Sequence, residues 1–398
     1  MIKKIFAWIL ASICLLSSFK SPVPGLDLGT FAVIIVLLYF VIIKNSKNIK
    51  PEHVLFVLYV LLTTVFNVLA INYSPDSYPS TALVFMRLFK FILVFSTVLV
   101  LGFSDHVDKS ELIKAIRIVV YVNSALVLVQ QLLYVFLGYI LRNPLAFLSV
   151  NDVYNSASYT MITTSIFRPS AFFLEPAHLS QYFILFLCYV LFCEKKNYIG
   201  GKRALDFFVT AMGIALTGSG MGAIMMIAVI VLALLFNRNL PLIRRWIFAI
   251  GFVVALCCLS RVDFVRTVFD RLFTSNVNFG GNAVEARVGS GYDTFLELPF
   301  YSKLFGCGFG NIPINKYFNG TAYMLNTVGI LGILFFGVVT FVEFRRTNWF
   351  MRIALLCFVI LLFGAQMFSA IPIAYYYGVA KVFSSKKEER EELKEYGR

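Results

Sequence analysis

Charge is the first thing this sequence lacks. Only 14% of its 398 residues are Asp, Glu, Lys or Arg, against about 25% in soluble globular domains, which excludes an ordinary water-soluble fold. Histidine is scarcer still, with three in the chain; His53 and His106 read as loop residues without companion ligands. No P-loop, GxSxG, HExxH or DxD-like metal pair occurs in the segments that read as facing outside, so the best-marked nucleotide, serine-hydrolase and zinc chemistries have no sequence footing there. Gly306-Cys307-Gly308-Phe309-Gly310 does not follow a strand and open a helix, so it is no dinucleotide fingerprint. The cysteines form no CxxC pair, and all but Cys307 lie in or at the ends of apolar runs, which excludes a disulfide framework. No internal repeat is visible, which counts against transporters built from repeated halves. Strict polar–apolar alternation is missing too, and with it a porin-type barrel.

What is there is hydrophobic length. Apolar residues make up 59% of the chain, and many runs approach the roughly 20 residues that cross a bilayer as a helix. The expectation is an all-α polytopic membrane protein with about twelve transmembrane helices. They fall at Ile5–Phe19, Leu28–Ile43, His53–Ile71, Thr81–Phe103, Ala115–Leu137, His178–Cys193, Ala204–Gly218, Met221–Phe236, Trp246–Leu259, Ala322–Phe341, Phe350–Ala365 and Pro372–Phe383. Lys20-Ser21-Pro22 is a poor signal-cleavage site, so the first run reads as a retained helix. The spans form one domain over 1–385, followed by a charged tail at 386–398 of solvated type.

A net charge of +14 would suggest nucleic acid in a soluble protein; here its distribution reads as topology and attraction to anionic membrane lipid. Most Lys and Arg residues fall in alternate connections, from Lys3 and Lys4 to the tail. By the positive-inside rule both termini are cytoplasmic. Two outside loops are long, 138–177 and 260–321, and long loops in compact proteins are commonly functional. The second holds Arg261, Arg266, Arg271 and Arg287 against two lysines, Lys303 and Lys316. Arginine's planar fork suits bidentate phosphate recognition.

The chain is organised around Ile166–Phe183, IFRPSAFFLEPAHLSQYF. Proline fits the first helical turn, so Glu175-Pro176 reads as a helix start. Glu175, His178 and Gln181 then fall on roughly one face of a helix entering the membrane. Ionisable groups there are either functional or an N-cap with solvated loop charges. Chemistry outside the cytoplasm has no ATP, so an activated substrate must bring its own leaving group, as a lipid-linked pyrophosphate does. Arginines would stabilise the charge developing on it, and a carboxylate or histidine would take the acceptor's proton.

Several of these residues resemble one family. Arg168-Pro169-Ser170 followed by Phe173-Leu174-Glu175-Pro176 looks like the signature of the O-antigen polymerase and O-antigen ligase superfamily. Thr217-Gly218-Ser219 is similar to its Thr-x-Ser turn. Arg287, Tyr292 and the glycines at 306, 308 and 310 resemble its second outside loop, and Asn326–Gly332 the helix after it. Two departures stand out: Gly220 occupies a place where members often have arginine, and Phe318-Asn319 replaces the His-Asn pair of ligase-like members.

The resemblance implies a lipid-sugar glycosyltransferase of GT-C type in the bacterial inner membrane, metal-independent, inverting and without a cofactor. It would polymerise oligosaccharide repeat units carried on undecaprenyl pyrophosphate, into O-antigen or another polysaccharide. Partners would be those lipid-linked oligosaccharides, membrane lipids, a chain-length regulator and a flippase, with no nucleic acid. Arg168 and Arg287, with Arg261 or Arg266, would bind pyrophosphate, and Glu175 or His178 would serve as base. Arg87 and Lys90, three apart in the fourth helix, either touch a lipid phosphate or snorkel to the interface. A ligase, or less readily a flippase or other transporter, stays open as an alternative.

Overall fold

A computed structural model describes residues 1–23, 26–43, 50–71, 78–101, 103–150, 161–163, 166–236, 243, 250–251, 291–314 and 316–384. Arg261, Arg266, Arg271, Arg287, the tail 386–398 and all but two residues of the expected helix Trp246–Leu259 lie outside the described residues.

Within them the chain is an all-α protein. Its helices are α1 (Ile2–Leu16), α2 (Leu28–Ile43), α3 (Pro51–Phe66), α4 (Thr81–Phe95), α5 (Lys109–Leu137), α6 (Pro176–Phe192), α7 (Arg203–Leu216), α8 (Gly220–Phe236), α9 (Tyr292–Glu297), α10 (Phe300–Phe305), α11 (Gly320–Arg346), α12 (Trp349–Gly364) and α13 (Ala370–Val382). Two short strands, β1 (Met161–Thr163) and β2 (Ile166–Phe167), pair antiparallel in the connection before α6. Among the described residues four stretches are long and apolar enough to cross a membrane: Pro51–Leu69, Thr81–Val100, Lys109–Leu137 and Gly320–Arg346. Shorter apolar helices accompany them.

Helix ends differ from the apolar runs because polar residues set them. Asn319 and Asn348 cap α11 and α12 by accepting from the backbone N–H groups of Ala322 and Met351, so each helix starts one or two residues before the apolar run expected for it. Such a cap contributes about 1 kcal/mol. The third and fourth runs finish as π-helical turns, Asn67–Ile71 and Ser96–Val100.

By contacts the chain divides into two compact units. One comprises residues 14–28 and 113–286. Its axis is α6, buried on every side from Leu179 to Val190 against α7 and α8; a helix apolar all round belongs in a core. Asp206 of α7 is fully buried and accepts from Arg117 Nε at 3.0 Å, Tyr121 Oη at 2.6 Å and Tyr198 Oη. That ring of donors satisfies a carboxylate that would otherwise be costly to bury.

The other unit comprises residues 1–13, 29–112 and 287–398. Phe56, Phe91, Phe309, Phe336 and Phe368 interlock at its centre, Phe91 and Phe309 with ring centroids 4.3 Å apart. Here the loop assignment of His53 is corrected. It is the third residue of α3, fully buried, with Nε2 3.4 Å from Oε1 of Glu343. Lys50 reaches the same oxygen at 3.0 Å, and Arg346 pairs with Glu52 at 2.5 Å. The sequence hid this cluster because nearly 300 residues separate α3 from the end of α11. His106 ends a short 3-10 helix, its ring 5.4 Å from that of Phe40.

Candidate functional site

The stretch 166–176 is built as a sharply turned loop that feeds α6. Glu175 is extended at φ −136°, ψ 149° and Pro176 is the first helical residue, as the Glu-Pro pair predicts. Four residues before Glu175, Ala171 is held at φ +50°, a left-handed conformation that costs a non-glycine residue about 1–3 kcal/mol. Ala171 is wholly buried, and its N–H donates to Gln130 Oε1 at 3.0 Å. Strain of this kind persists only where surrounding contacts over-determine the backbone, and such places cluster at functional sites.

Those contacts come from α5. Asn123 Oδ1 accepts from the N–H of Phe172 at 3.3 Å. Gln130 Nε2 donates to Leu141 O at 3.0 Å, and Gln131 Nε2 to both Phe167 O (3.2 Å) and Leu216 O (2.9 Å). From the preceding loop Asn143 Nδ2 donates to Phe172 O at 3.2 Å. Asn123, Gln130, Gln131 and Asn143 are all buried. Sequence reasoning missed these four because single amides, three in an apolar helix and one in a loop, carry no motif. The available signal was their spacing: 123, 130 and 131 fall on one face of an α-helix.

Arg168 lies within this cradle. Of the two readings of this charge, a solvated loop residue or a functional one, the solvated one does not fit: Arg168 is 8% exposed, and its Nε donates to Gly218 O at 3.2 Å. Gly218 sits at φ +59° in the turn joining α7 to α8. Thr217 Oγ1 accepts from Ser219 N–H at 3.2 Å, and Ser219 Oγ accepts from Gly222 N–H at 3.2 Å, so both hydroxyls cap the turn. A Cβ on Gly222 would lie 2.5 Å from Ser180 Cβ on α6, which explains the glycine. The Arg-Pro-Ser and Thr-Gly-Ser segments, 50 residues apart, are thus brought into contact.

Glu175 is partly buried at the end of the same loop, whereas His178 is exposed and Gln181 buried. Each step of three residues turns an α-helix 60° short of a full revolution, so 175, 178 and 181 do not share one environment.

In the other unit, the glycine turn 306–310 packs on a break in α11. Gly329 has φ +70° inside the helix, which frees backbone carbonyls before it. Cys307 and Gly308 N–H groups donate to Asn326 O (2.8 Å) and Thr327 O (3.0 Å), and Tyr59 Oη donates to Val328 O at 2.7 Å. Burial pushes the Cys307 thiol up to about 11, so it stays protonated and inert. Arg87 Nη1 donates to Gly310 O at 2.7 Å, and a Cβ on Gly310 would meet the Arg87 stem at 2.8 Å. Arg87 therefore clasps the turn, with Lys90 half-buried one turn along α4. Asn319, in the place of the ligase-type pair, has its side chain occupied as a helix cap.

Among the described residues no three His, Cys, Asp or Glu side chains gather as a metal-holding group. Comparison with protein-family models, curated proteins and solved structures gives no match.

Proposed function

We propose that this chain is a membrane glycosyltransferase that joins oligosaccharide repeat units carried on undecaprenyl pyrophosphate at the outer face of a bacterial inner membrane. The proposal includes a GT-C type arrangement of about twelve spans with both termini cytoplasmic. One observation supports it above the others. Arg168 is held against the Thr217-Gly218-Ser219 turn, so two segments that resemble separate family motifs meet at the start of α6. The N-terminus of that helix adds positive potential for an anion.

In this reading Arg168, with Arg287 and either Arg261 or Arg266, receives the pyrophosphate. An acceptor hydroxyl of the incoming unit attacks the anomeric carbon of the growing glycan. The bond from that carbon to the pyrophosphate oxygen breaks, its electron pair stays with undecaprenyl pyrophosphate, and the hydroxyl proton passes to a base. Attack opposite the leaving group inverts the anomeric centre. Glu175, in the strained loop itself, is better placed for the proton than His178, which faces outward from α6.

Deleting the gene tests the class of reaction. Loss of long chains with single repeat units retained is the expected outcome. Long chains stranded on the carrier lipid would indicate a ligase, and repeat units trapped on the cytoplasmic side a flippase.

A further inference from the structure

Helices α11 and α12 enclose an apolar groove of about 360 Å³, lined among others by Phe336, Gly337, Phe341, Phe344, Leu355 and Phe363. That volume is within the range of ligand sites. Little in it serves a polar ligand: the hydroxyl of Thr340, one of its few polar residues, is occupied by Phe336 O at 2.8 Å and Tyr377 Oη at 2.7 Å.

One end of the groove is different. The guanidinium of Arg345 stands 5.7 Å from the ring of Phe341, and that of Arg352 5.9 Å from the ring of Phe344. Both rings are groove walls, so the apolar channel ends between two cations. Trp349, 47% exposed, begins α12 at the same turn, and tryptophan beside arginine marks a membrane–water interface. From this geometry we infer that the groove binds an anionic diacyl phospholipid, an acyl chain lying between α11 and α12 and the phosphate on Arg345 and Arg352. The site is independent of the glycan chemistry.

Gly337 supplies a clean test. A Cβ built there meets nothing within 4 Å, and leucine is the better helix former, so Gly337→Leu fills the groove without straining the fold. The full chain, purified in uncharged detergent, is titrated with phosphatidylglycerol or phosphatidylcholine and read by native mass spectrometry and thermal unfolding. Wild type should retain phosphatidylglycerol adducts and gain a saturable rise in Tm, both lost in Gly337→Leu. Each of Arg345→Gln and Arg352→Gln should reduce the preference over phosphatidylcholine by about fivefold. The proposal is overturned if Gly337→Leu binds phosphatidylglycerol like wild type, or if the two phospholipids bind equally. Displacement of phosphatidylglycerol by undecaprenyl phosphate from wild type but not Gly337→Leu would also overturn it, since the groove would then belong to the carrier lipid.

Discussion

The backbones of Gly306 and Gly329 touch: a Cβ on Gly329 would lie 2.5 Å from Gly306 N and 2.3 Å from Leu304 O, and one on Gly306 2.2 Å from Thr327 O. Both residues have positive φ. The contact locks the glycine turn into the break in α11, so alanine at either position meets backbone that cannot rotate away. Gly306→Ala and Gly329→Ala should each cost at least about 1–3 kcal/mol from the backbone conformation alone, read as lowered thermal unfolding in detergent. Gly337→Ala, in the same helix with open space around it, should leave Tm unchanged or raise it.

The amide of Gln131 bridges Phe167 O and Leu216 O, tying the Arg168 loop to the end of α7. Gln131→Leu keeps the volume and leaves both carbonyls without that donor, a loss of about 1–3 kcal/mol. Gln131→Glu should be worse, since it sets a carboxylate against two carbonyl oxygens. Unfolding midpoints and polysaccharide chain length should fall together in both variants.

How much of this was legible beforehand follows from what each residue had to do. Glu175-Pro176 announced a helix start because proline's missing N–H and fixed φ act locally, and the apolar runs announced helices because bilayer length is a local property. The Thr-Gly-Ser turn was visible for the same reason. Burial of Arg168, Gln130 and Gln131 was not, since it depends on segments distant in sequence meeting one another. The pairing of His53 with Glu343 was hidden likewise.

Arg168 should tolerate no substitute. Arg168→Lys keeps the charge but loses the planar fork and the Nε bond to Gly218. A drop in long-chain product of about 10²–10³-fold is expected, the cost of removing one preorganised donor. Because the side chain is buried, Arg168→Ala should also lower protein yield, so chain length is compared per amount of folded protein. Near-normal chains from Arg168→Lys would remove this residue from the site.

Tyr198 predicts an alkaline limit to stability. Burial, reinforced by its hydrogen bond to Asp206, raises the phenol well above its usual 10. The folded state therefore holds the proton more tightly than the unfolded chain. The resulting stabilisation is complete below about pH 10 and is lost as pH climbs from there toward the folded value. Thermal unfolding followed from pH 8 to 11 should decline less steeply at the alkaline end in Tyr198→Phe than in wild type, from a lower Tm at pH 8.

The central claim is that this chain alone lengthens a glycan on its carrier. Purified protein in nanodiscs, given only undecaprenyl-pyrophosphate-linked repeat units, should yield a ladder of longer lipid-linked glycans with one undecaprenyl pyrophosphate released per added unit. A ladder that fails to form from wild-type protein, while the same preparation transfers a single unit to a non-carrier acceptor, would contradict the account.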